Sequence, residues 1–99
     1  MKTNTATNPA TQPMTRESYL AATREWKAAY KALSAAQRTA KLAYKQAQRD
    51  GDWHLIWNKA GEINRNRITA TAMLEQRAAM KVAAAEAYLA ARAAAAPTK

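Results

Sequence analysis

The sequence predicts an all-α fold, a long antiparallel hairpin of two helices. Apolar residues recur every seven positions along residues 16–49, and a second amphipathic stretch covers residues 53–96. An Asp-Gly-Asp break at 50–52 separates the two stretches, and so short a joint makes neighbouring helices antiparallel. We therefore expect one helical domain over residues 15–96, preceded by a disordered Thr-, Asn- and Pro-rich tail at 1–14.

The first helix is predicted to begin near Thr15, a suitable N-cap, and to end near Arg49. Two rows of residues with a seven-residue spacing define its predicted apolar seam. The first row is Tyr19, Trp26, Leu33, Ala40 and Ala47, and the second is Ala22, Ala29, Ala36 and Ala43. Alanine throughout the second row lets two helix backbones approach closely. Tyr30 and Tyr44 are expected to flank the seam with their hydroxyl groups in water.

The second helix is predicted to follow a left-handed Gly51 and to be capped by Asp52. One broad apolar face is expected to hold Trp53, Ile56, Trp57, Ala60, Ile63, Ala70, Leu74, Ala78, Val82, Ala85 and Leu89. Polar residues and Gly61 interrupt this pattern, so it leaves open a continuous helix or one that kinks or splits near 61–71.

Reflecting the chain about Gly51 brings Gln37 close to residues 64–67. We expect Gln37, Asn64 and Arg67 to form a polar layer in the seam. Such layers fix the register of paired helices at some cost in stability.

Composition predicts a thin core. Alanine accounts for 27 of the 99 residues, whereas large apolar residues are few. Alanine buries little surface, so we expect the hairpin to form a homodimer, as a four-helix bundle or coiled coil, or to dock on a larger protein.

The absence of cysteine excludes disulfides and fits a reducing cytoplasm, where we expect the protein to act. We expect no transmembrane segment, because no stretch has the ~18 uncharged apolar residues that a span needs.

Charge gives the clearest functional signal. The net charge is +9, and one side of the first helix carries a row of cations that we call the basic stripe. The basic stripe consists of Arg24, Lys27, Lys31, Arg38, Lys41 and Lys45. Glu17 and Glu25 have no basic residue three or four positions later, so the usual mixture of charges on a solvated helix is missing. The pattern favours an anionic partner.

Enzyme chemistry is not expected. The seven acidic residues are scattered, the chain has two glycines and no phosphate-binding loop, and the lone His54 cannot form a metal site. We expect no catalytic residues, no metal, no cofactor and no small-molecule substrate.

Three functional hypotheses follow. The first is a non-enzymatic nucleic-acid-associated accessory protein whose basic stripe contacts phosphates. The alternative is an inhibitor or adaptor of the phage or mobile-element kind, which docks on an acidic groove of a larger protein and is anchored by Trp53 and Trp57. For these tryptophans, however, the preferred interpretation is structural: both seal the hairpin end beside the turn. Binding to the surface of an anionic membrane is a weaker third hypothesis.

Overall fold

The computed structural model describes residues 15–95, which form two long α-helices and no strand. Helix α1 spans Arg16–Asp50 and helix α2 spans Trp53–Ala95. The predicted all-α hairpin is confirmed. The tail predicted at 1–14 and the last predicted helical residue, Ala96, lie outside the described residues.

Local sequence determines where the helices begin and end. Thr15 and Ser18 form a reciprocal capping box at the start of α1, with the Ser18 amide 3.0 Å from the Thr15 hydroxyl oxygen. Gly51 closes α1 with a left-handed φ of 69°, a conformation that glycine adopts without steric cost. The Asp52 carboxylate then accepts a hydrogen bond from the Leu55 amide at 3.1 Å, which caps α2. Helix α2 is continuous across residues 61–71, which decides between the two alternatives left open above.

The seam of α1 differs in one row from the prediction. The row that begins at Tyr19 lies against α2, but its companion row contains Thr23, Tyr30, Gln37 and Tyr44, not the four predicted alanines. Ala22 and Ala43 are half-buried beside the seam, but Ala29 and Ala36 are exposed, so the prediction of an all-alanine second row was wrong. The physical reason is that tyrosine buries far more surface than alanine, while Thr23 and Gln37 form hydrogen bonds across the seam.

The seam of α2 follows two rows that each repeat every seven residues. These rows are Ile56, Ile63, Ala70, Arg77 and Ala84, and Lys59, Asn66, Met73, Met80 and Ala87. Five large members of the predicted face are instead exposed: Trp53, Trp57, Leu74, Val82 and Leu89. The prediction counted 100° per residue, and a helix with that period drifts by about 20° per heptad from a seven-residue repeat.

The core contains few large side chains, and its buried apolar residues lie towards the loop end. Ala40 and Ala47 are 1% and 0% exposed, and Ile56 of α2 lies at the same end. Within the described residues, no large side chain is fully buried. The other end of the seam is filled by larger side chains, Tyr19, Trp26 and Tyr30, which are half-buried. The hairpin is consequently long and flat, 75 Å in length and 16 Å in its smallest dimension.

Candidate binding site for an anionic partner

The basic stripe runs along one flank of α1, beside the seam. All six of its side chains are exposed. Arg24, Lys31, Arg38 and Lys45 repeat every seven residues and form one row, and Lys27 and Lys41 lie nearer the seam. At ~1.5 Å per residue, the row from Arg24 to Lys45 extends over about 32 Å. The stripe is thus a continuous row of exposed cations along α1.

The charge of the basic stripe is not neutralised by nearby acids. Among residues 15–95, the ion pair present joins Lys59 to Glu62 at 3.0 Å, and neither residue belongs to the stripe. No member of the stripe forms an ion pair with a described residue. Cations that form no ion pair within residues 15–95 remain available to an external anion.

Helix α2 extends the positive surface. Lys41 and Arg67, from different helices, line one open pocket of about 280 Å³. Lys81 follows Arg67 by fourteen residues and therefore lies on the same side of the hairpin. Both α2 cations are exposed. We call the stripe together with Arg67 and Lys81 the basic side of the hairpin.

The polar layer forms with different members from those predicted. Gln37 donates a hydrogen bond from Nε2 to the Ile63 carbonyl oxygen at 3.0 Å and accepts one from Asn66 Nδ2 at 2.9 Å. Asn64 and Arg67 are exposed, so their predicted place in the seam was wrong. The neighbour that replaces them, Asn66, belongs to a seven-residue row with Lys59 and Met73. This layer forms one wall of the pocket that Lys41 and Arg67 border.

An aromatic cluster fixes the helices near the open end, and the sequence reasoning missed its central residue. Arg77 donates a hydrogen bond from Nη1 to the Thr23 hydroxyl at 2.9 Å, and its guanidinium lies 5.5 Å from the centre of the Trp26 ring. Trp26 in turn donates from Nε1 to the Met73 carbonyl oxygen at 2.7 Å and stacks on Tyr30. The Arg77 side chain therefore makes its contacts within the seam and does not belong to the basic side.

The two tryptophans beside the turn do not seal the hairpin. Trp53 and Trp57 are 69% and 74% exposed, which contradicts the structural interpretation preferred above. Their rows lie outside the seam because Ile56 and Lys59 occupy the inward positions of that turn. His54, between them, is exposed as expected.

Residues 15–95 hold neither a metal site nor a membrane-spanning helix. Over residues 15–95, no three His, Cys, Asp or Glu side chains converge to hold a metal ion. Neither helix has an apolar stretch long enough to cross a membrane within the same range. None of the known protein families, curated proteins or solved structures compared with the chain matches it.

Proposed function

We propose that the protein is a non-enzymatic binding protein that engages nucleic acid stoichiometrically through the basic side of its hairpin. The observation that supports this most strongly is the set of exposed cations along one side, none of which forms an ion pair with a described residue. Neutralising phosphates with lysine and arginine releases condensed counterions, which supplies the affinity.

The dimensions of the basic side fit a repeating polyanion better than a single small anion. The row from Arg24 to Lys45 covers about 32 Å at ~1.5 Å per residue. One turn of duplex DNA is about 34 Å long. Contacts of this kind position a protein on the phosphate backbone but do not read sequence. Little sequence preference is therefore expected.

Charge reversal on the stripe tests the proposal. The variant carries Lys31→Glu and Arg38→Glu, and a matched control carries Arg49→Glu and Arg65→Glu, exposed cations outside the basic side. Both proteins have the same net charge. Fluorescence anisotropy with labelled duplex and single-stranded DNA should show an affinity loss on the order of tenfold or more for the stripe variant relative to the control. An equal loss in both proteins would mean that binding depends on net charge and not on this surface, provided circular dichroism shows both to be helical.

A second candidate function has an observation of its own. Trp53 and Trp57 are the most exposed large apolar residues beside the turn, and tryptophan is enriched at the centres of protein interfaces. They support an inhibitor or adaptor that docks on an acidic groove of a larger protein. Replacing both tryptophans by alanine should abolish chemical cross-linking between the hairpin and a larger partner protein with an acidic groove. The affinity of the hairpin for DNA should stay unchanged. If the variant instead loses DNA affinity while remaining helical, these side chains belong to the nucleic-acid surface.

A further inference from the structure

Helix α2 has a second seven-residue pattern on the face that points away from α1. One row of this face consists of Ile68, Glu75, Val82 and Leu89, in which all but Glu75 are large and apolar, and small residues occupy the adjacent row, at Thr71, Ala78 and Ala85. All seven are exposed. Together the two rows alternate steps of three and four residues, which is the spacing of a helix–helix contact. We call them the outer stripe.

We propose that a second copy of this chain covers the outer stripe, with the two α2 helices antiparallel. The first argument is self-complementarity. In an antiparallel pair, the large row of each helix faces the small row of the other. With Ile68 opposite Ala85 of the partner copy, Val82 meets Thr71 and Leu89 meets Asn64. One patch that fits itself in this way is the requirement for a two-fold dimer.

Charge and area also favour a second copy. Between Ile68 and Leu89, the one charged residue in either of the two rows is Glu75. The two-fold axis brings the Glu75 residues of both copies close together, but the face avoids the stronger repulsion that the six cations of the basic stripe would cause. In that register the two α2 helices overlap over residues 58–95, about 55 Å at ~1.5 Å per residue. A strip about 10 Å wide over that length buries on the order of 1,000 Å² in total, which is the lower bound for a specific interface. We therefore expect a concentration-dependent dimer.

The dimer has a geometric consequence for the basic side. The two-fold axis of an antiparallel helix pair is perpendicular to the plane of the two helices. The basic side faces roughly along that axis, because it lies beside the seam while the outer stripe lies nearly opposite the seam. Both copies then present their basic sides in the same direction. This consequence rests on the proposed function, but the dimer itself does not.

Sedimentation equilibrium of the protein without nucleic acid, over a range of concentrations, tests the dimer. The wild-type mass should rise from the monomer value of 10.9 kDa towards twice that value. Ile68→Glu with Val82→Glu should remain monomeric, whereas the control Leu42→Glu, which changes a 67% exposed leucine on the back of α1, should still dimerise. If the two glutamates reduce the helix content, a second variant, Ile68→Ala with Val82→Ala, gives the same comparison. We expect this alanine variant to dimerise more weakly than the wild type.

Three results would overturn the inference. The wild type would stay monomeric at every concentration, the outer-stripe variants would dimerise as strongly as wild type, or the Leu42→Glu control would lose dimerisation to the same extent. Because no DNA is present, none of these results bears on whether the basic side binds phosphates.

Discussion

The two helices of the hairpin use similar, alanine-rich sequences in different ways. Helix α1 has one apolar seam, and its most conspicuous other surface is cationic. Helix α2 has the matching seam and a second apolar face, where Ile68, Val82 and Leu89 remain exposed. Pairing the helices therefore covers one face of each helix. Two chemically distinct surfaces stay exposed, a cationic one on α1 and an apolar one on α2. A cationic surface attracts polyanions at long range, whereas an apolar surface binds by removal of area from water.

This difference separates the parts of the molecule that determine stability from those available for binding. Stability depends on the seam, where Ala40, Ala47 and Ile56 pack at the loop end and the Arg77 cluster holds the open end. The surfaces on either side contribute little to the hairpin itself. Substitutions in the seam and on the two surfaces should therefore change different measurable properties.

The largest effect on stability is expected from enlarging an inward alanine. Ala40→Leu inserts a larger side chain at a position that is 1% exposed and should lower the free energy of unfolding by about 1–3 kcal/mol. Leucine and alanine are both good helix formers, so helix propensity does not confound the result. The control Ala36→Leu, on an exposed position four residues earlier, should change it by less than about 0.5 kcal/mol. Urea denaturation followed by circular dichroism gives both values, and a larger loss at Ala36 would restore the all-alanine seam.

Removal of the Arg77 side chain should have the next largest effect. Arg77→Ala eliminates a hydrogen bond to Thr23 and contacts with two aromatic rings, and should cost about 1–2 kcal/mol of unfolding free energy. Arg77→Lys keeps the charge but not the planar guanidinium, and should fall between alanine and wild type. The exposed Arg65→Ala serves as the control in the same urea titration. Equal stability of the Arg65 and Arg77 variants would show that Arg77 does not belong to the seam.

A smaller effect is expected from the Trp26 indole. Trp26→Phe keeps a ring that can stack on Tyr30 but removes the donor to the Met73 carbonyl, which should cost about 0.5–1.5 kcal/mol. Trp53→Phe, at an exposed position on α2, should be close to neutral. The difference between their thermal midpoints, recorded at one protein concentration, is the relevant quantity. No difference would indicate that the cross-helix hydrogen bond contributes nothing net.

Features that depend only on residues close together in the sequence could be predicted from it. The caps at Thr15, Gly51 and Asp52 follow from local hydrogen bonding and backbone freedom, and the Tyr19 row follows from its strict repeat. The companion row could not be chosen, because steps of three and four residues from Tyr19 both gave a regular pattern. Structure was needed to show that Tyr30 lies inward while Ala29 is exposed.

Polar residues in the seam were the hardest to predict. Arg77 and Asn66 are tolerated there because Thr23 and Gln37 on the opposite helix meet them, and a single sequence does not show which residues face each other. The same limitation applied to the candidate site. The six cations of α1 could be found from their spacing, but the contribution of Arg67 and Lys81 depends on how α2 is rotated against α1.

The salt dependence of DNA binding tests the central claim that the basic side is a phosphate surface. Six phosphate contacts predict that affinity for duplex DNA falls roughly a thousandfold between about 50 and 200 mM salt, a slope near −5 on logarithmic axes. Lys31→Gln with Arg38→Gln should reduce the magnitude of that slope by about two, whereas Arg49→Gln with Arg65→Gln should leave it unchanged. A flat wild-type slope, or equal slopes for the two variants, would contradict the account.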